Sequence, residues 1–174
     1  FIGYYPNGSV MMKGNYMNDS LEGGYLHYFP SKVKNIEEGA VVEKGQYLNN
    51  MRSGIWTSFY PDGKIYTTGS YSHGKYEGLW KVNFQNGNPK QAGEYIKGVE
   101  NGDWKFYHEN GKLYMEGKFV SGKKEGIWNE YHEIGKLKFK YNCKNGVLHG
   151  KQYAYDVKGE VTEEKNYDNG VLLK

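Results

Sequence analysis

The sequence predicts an all-β protein, an elongated, single-layer antiparallel meander of β-hairpin repeats with no significant helix. Three observations carry this. Glycine and aromatic residues recur with a period of 24. The 174 residues include 25 Gly and 18 Tyr but only three Ala (Ala40, Ala92, Ala154), a composition that suits strands and turns and disfavours helices. The Asp-Gly and Asn-Gly pairs Asp62-Gly63, Asn86-Gly87 and Asn110-Gly111, the strongest short hairpin signal, recur at one place in the period.

Gly54, Gly78, Gly102, Gly126 and Gly150 mark the period. Two residues on come Trp56, Trp80, Trp104 and Trp128, then Gln152. Further columns hold Gly63 to Gly159, then Gly69, Gly93 and Gly117 followed by Tyr141 and Lys165. Tyr71, Tyr95 and Phe119 lead to Cys143 and Tyr167, and a last column runs from Gly74 to Gly170.

In chain order, residues 1–22 read as a partial first unit and 23–53 as an expanded one, with an insertion near 30–39. Residues 54–149 make four regular units, and 150–174 a degenerate capping unit, all in one continuous repeat domain of about seven units. Within 54–77 one strand, "IWTSFY", enters Pro61-Asp62-Gly63, and a second, "KIYTTGSY", enters a broad turn, "SHGKYEG". Side chains alternate along a strand, so the aliphatic, Gly and Tyr/Phe columns share one face. The strand glycines Gly69, Gly93 and Gly117 then leave room for a neighbouring Trp ring to lie flat, giving an aromatic ladder of Trp56, Trp80, Trp104 and Trp128 with Tyr71, Tyr95 and Phe119.

Charge is unhelpful to a nucleic-acid reading. The net charge is +3, split as 8 − 7 = +1 over residues 1–87 and 15 − 13 = +2 over 88–174, and Arg52 is the sole arginine. One cysteine, Cys143, allows no intrachain disulfide. The mean hydropathy is −0.86 and no apolar run is long enough for a membrane-spanning helix. A start at Phe1 rather than Met reads as a trimmed chain, which leaves localisation open between cytoplasm and envelope.

The segments "GKYEGLW" (Gly74–Trp80), "YIKGVENGDW" (Tyr95–Trp104) and "GDWKFYHENGKLYMEGKFVSGKKEGIW" (Gly102–Trp128) resemble MORN repeats of the variant form, over nearly the whole chain. The resemblance implies a hairpin meander acting as an interaction or scaffold module. It extends to a bacterial YwqK-like group classed as antitoxins, and to eukaryotic relatives tied to phospholipids and protein assembly. Gln152 for Trp, Tyr141 and Lys165 for Gly, and Cys143 for Tyr or Phe depart from the pattern.

No catalytic constellation recurs, and no phosphate loop is present. His108 and His132, one period apart, are too distant to share an ion without further ligands. No catalytic or metal residue and no cofactor is therefore expected. Cys143 reads as a small buried hydrophobe in an underpacked sixth unit. The expected activity is protein binding, with a toxin as the sharpest candidate partner, and a phospholipid or cell-envelope surface as the alternative. The candidate interface residues are Tyr60, Tyr107 and Tyr131 together with Lys32 and Lys34 of the insertion.

Overall fold

A computed structural model describes residues 1–31 and 33–174. The fold is all-β. Fifteen strands follow chain order in an antiparallel sheet that is not closed, with a separate two-stranded ribbon. The chain forms two compact units, 1–87 and 88–174. The first holds β1 (Ile2–Tyr4), β2 (Val10–Lys13), the ribbon β3 (Tyr16–Met17) and β4 (Ser20–Leu21), β5 (Gly23–Tyr28), β6 (Val41–Leu48), β7 (Met51–Phe59), β8 (Ile65–Ser72) and β9 (Lys75–Asn83). The second holds β10 (Pro89–Ile96), β11 (Val99–Tyr107), β12 (Leu113–Val120), β13 (Lys123–Tyr131), β14 (Leu137–Lys144), β15 (Val147–Tyr155), β16 (Val161–Asp168) and β17 (Val171–Leu172). The insertion is the segment between β5 and β6.

The two kinds of turn divide the glycines differently from the sequence reading. At Pro61-Asp62-Gly63 only Gly63 has positive φ, and the Asp62 carboxylate accepts the Lys64 amide at 3.2 Å. Asn110 and Asp156 do the same for Lys112 and Lys158. The Asx residue is therefore a side-chain cap, not a left-handed residue. The other turn is far tighter than "SHGKYEG". His73 and Gly74 alone form it, both with positive φ, as do Ser121-Gly122, Asn145-Gly146 and Asn169-Gly170. Two consecutive left-handed residues match the twist of a two-residue hairpin. Lys75 to Gly78 belong to the next strand. Each turn glycine also donates its amide to the hairpin before it: Gly74 to Arg52 O at 3.0 Å and Gly122 to Glu100 O at 2.9 Å.

The core sits on one face, at a repeated bulge. Glu116 pairs with Asn129 and Lys118 with Glu125, so Gly117 alone faces Gly126, Ile127 and Trp128. Gly126 has φ +70, which lets the strand fold out and back, and lays the indole over Gly117. A Cβ on Gly117 would overlap that ring, and the same holds for Gly45 under Trp56, Gly69 under Trp80 and Gly93 under Trp104. Edge-on aromatic contacts link the rings: Trp56 to Tyr47 at 5.2 Å, Trp104 to Tyr95 at 5.1 Å, Phe119 to Trp128 at 5.0 Å.

The sixth repeat breaks this interlock on both sides at once. Tyr141 stands where the glycine would be, and Gln152 where the indole would cover it. The two are direct strand partners, and the bulge moves to Asn142, opposite His149, Gly150 and Lys151. Lys165 likewise carries a side chain in the last glycine position, and the sheet continues past both through β15, β16 and β17.

Candidate interaction face

The four tryptophans are interior. Trp128 is fully buried, and Trp56, Trp80 and Trp104 nearly so. The residue two before the bulge glycine covers Trp56, Trp80 and Trp128. In the first unit the Arg52 guanidinium stacks 3.9 Å over the Trp56 ring, donates to Tyr71 Oη and grips both Glu43 oxygens at 2.7 and 3.0 Å. The Tyr76 ring lies 4.2 Å from Trp80. In the second unit Lys124 Nζ sits 4.2 Å over Trp128 and donates to Tyr141 Oη at 3.0 Å. Indoles covered this way present no open platform for a sugar or a peptide. The covering column is missed by sequence reasoning because its members share reach rather than chemistry, although the 24-residue spacing of Arg52, Tyr76 and Lys124 is the signal that could have found it.

The opposite face of the first unit is bare. Ile2, Lys13, Leu26, Lys44, Thr57 and Thr68 form one row of successive cross-strand partners. Beside it stand Ile55, 69% exposed, and Leu79, 51% exposed, each next in sequence to a buried Trp and so on the other face. A groove of about 660 Å³ lies between Lys13, Leu26, Lys44, Gln46 and Ile55. Its lining contains two lysines and no carboxylate. Lys13 Nζ lies 5.6 Å over the Tyr28 ring and Lys44 Nζ 5.5 Å over Phe59, and among the described residues neither has an ion-pair partner. The insertion walls this face: Asn35 and Glu37 line a smaller hollow with Lys44 and Phe59.

The second unit carries a groove of about 410 Å³ at the same place in its repeat, around Gly117 and Ile127. Its charge differs. Asp103, Glu116 and Glu125 line it with Lys105 and Lys118. Tyr131 donates to Glu116 Oε1 at 2.8 Å, and burial, helped by that carboxylate, pushes the Tyr131 hydroxyl up to about 12.

The sequence-predicted residues are dispersed. Tyr60 sits at a turn in the first unit, half-buried, its hydroxyl donating to Asn83 O at 2.8 Å. Tyr107 and Tyr131 share a column in the second unit, both half-buried on the bare face. Lys34 is exposed in the insertion, and Lys32 lies outside the described residues. His108 and His132 are struts: each Nε2 bonds a carbonyl of the next hairpin, Tyr131 O at 3.0 Å and Tyr155 O at 3.2 Å. A carbonyl can only accept, so both rings carry the proton on Nε2. Cys143 is 4% exposed and packs with Trp128, Tyr141 and Leu148, and burial raises its thiol pKa. Among the described residues no cluster of His, Cys, Asp or Glu is placed to hold a metal ion.

A repeated hairpin sheet with one filled face and one bare face is the build of a repeat-based binding module. The chain belongs to the MORN repeat variant family, whose model matches residues 1–18, 52–73, 76–97 and 100–120. No curated protein matches the chain.

Proposed function

We propose that the chain is a non-catalytic module that binds another protein across the bare face of its first unit. One observation carries the reading: this face exposes Ile55 and Leu79 beside a groove, while the opposite face spends its aromatic residues on the core. Exposed aliphatics in a row around a concavity are the usual centre of a protein interface, with the polar row as its rim. An inhibitor that covers a toxin, the role implied by the resemblance, is the sharpest form of this reading.

The test is capture by position. A photo-crosslinking side chain at position 55 should trap a protein partner in the native host, and the same group at Lys158, on an exposed turn, should not. Ile55→Asp should abolish co-purification at low salt. A chain that always purifies alone, or one that binds anionic vesicles and no protein, overturns the reading.

A further inference from the structure

Gly24 is a glycine without a backbone or packing reason. Of the 25 glycines, most have positive φ, and the others lie under a ring or against Met12. Gly24 has neither constraint: its φ is ordinary and a Cβ there would meet nothing within 4 Å. Its position in the repeat, directly after the bulge glycine, elsewhere holds Ile55, Leu79, Asp103, Ile127 and Lys151. A strand glycine costs stability relative to a residue with a side chain. The absent side chain is what leaves the groove open, since Gly24 is part of its floor.

We propose, building on the protein-binding reading above, that this groove takes an extended acidic segment of the partner, with one apolar side chain seated on Gly24 between Leu26 and Ile55 and carboxylates on Lys13 and Lys44. The charge selects the ligand. Lys13 and Lys44 are ammonium groups without ion-pair partners among the described residues; the groove lining has no carboxylate, while the adjoining hollows hold Glu38 with Lys13 and Glu37 and Asp62 with Lys44, none of them paired to these lysines, whereas Lys64, Lys138, Lys151 and Lys165 are each held by an acid. Lys13 on β2 and Lys44 on β6 are two strands apart, with Leu26 of β5 between them as cross-strand partner of both. Two strand spacings are about 10 Å; acidic residues four apart in an extended peptide share a face and span about 13 Å, a difference the flexible lysine stems take up. A concave groove with an apolar floor fits a peptide side chain and has no equivalent contact for a flat lipid surface. The equivalent groove of the second unit, with three carboxylates against two lysines, would repel the same segment.

Fluorescence anisotropy of the full chain tests this with three probes: a labelled peptide Ser-Glu-Ser-Leu-Ser-Glu-Ser, its Lys-for-Glu counterpart, and phosphatidylserine vesicles. The acidic peptide should bind in a salt-sensitive way and the basic one should not. Gly24→Ile fills the groove at a position whose backbone accepts it, so the thermal transition should be kept while binding weakens about tenfold or more. Lys13→Glu with Lys44→Glu should weaken it similarly, and Lys118→Glu in the second unit should leave it unchanged. Peptide binding indifferent to Gly24→Ile, or binding of vesicles only, overturns the proposal. If position 55 still cross-links a partner in that case, the interface reading stands and only the acidic-segment proposal falls. If neither occurs, both fall.

Discussion

The smallest unit of this architecture is one glycine under one indole. At Gly117 a methyl group would overlap the Trp128 ring, so Gly117→Ala should destabilise by about 1–3 kcal/mol through overpacking. At Gly24 the same change meets open space and removes unfolded-state freedom, so Gly24→Ala should be neutral or stabilising by about 0.4–1 kcal/mol. The urea midpoint should fall for Gly117→Ala and hold or rise for Gly24→Ala. If they moved alike, the role of the indole in selecting glycine would be refuted. The Tyr141 and Gln152 pair extends the argument. Gln152→Trp alone brings an indole against the Tyr141 ring, and Tyr141→Gly alone leaves a space that Gln152 does not fill. The double change rebuilds the regular pair, so a mutant cycle should show favourable coupling of about 0.5–3 kcal/mol. Additive effects would mean that the two substitutions are independent.

At the scale of the hairpin, the two turns do different work. The His73-Gly74 type binds backward, its glycine amide reaching the preceding hairpin, while the Asp62-Gly63 type is tied forward by side chains such as His108 and His132. Ser121 has φ 50 in the first position of the tight turn, where Asn145 and Asn169 occupy the same place with φ 54 and φ 49. Asn tolerates that conformation better than Ser, so Ser121→Asn should stabilise by about 0.5 kcal/mol or more, read from thermal unfolding. His108→Ala removes a strut and leaves Tyr131 O to solvent, a loss of about 0.5–1.5 kcal/mol by the same measurement. The hairpins were legible in the sequence because their glycines recur at fixed offsets. Their boundaries were not. Gly78 reads as a turn residue from its type, but its positive φ serves a bulge inside β9, and periodicity cannot distinguish a turn from a bulge when both need a left-handed glycine.

Across the whole molecule, the sheet and its buried Trp ladder follow directly from columns that repeat. The candidate groove does not, because what distinguishes it fails to repeat: Gly24 where the other repeats carry a side chain, a lining with lysines and no carboxylate, and an insertion. Tyrosine connects both aspects, since Tyr71, Tyr95 and Tyr141 pack against the core indoles or Cys143 while Tyr107 and Tyr131 stand on the bare face, and each ring carries an ionisable hydroxyl. Burial, and then the carboxylate of Glu116, pushes the Tyr131 hydroxyl up to about 12 from 10.0. Burial, with Cys143 and Glu130 adding to it, does the same for Tyr141, up to about 12 from 10.0. Burial also raises Tyr25 and Tyr71. A raised folded-state pKa means that the unfolded chain gives up its proton first as pH rises. The stabilisation is then fully present below pH 10.0 and is lost between there and about 12. Urea midpoints measured at increasing alkaline pH should therefore fall from near pH 10 upward, while tyrosinate absorbance of the folded protein lags behind that of the unfolded chain. Tyr131→Phe removes one of the groups whose ionisation drives the loss, and should make the decline shallower. A decline as steep in Tyr131→Phe as in the parent would show that Tyr131 does not ionise late, and would place the alkaline weakness elsewhere in the sheet.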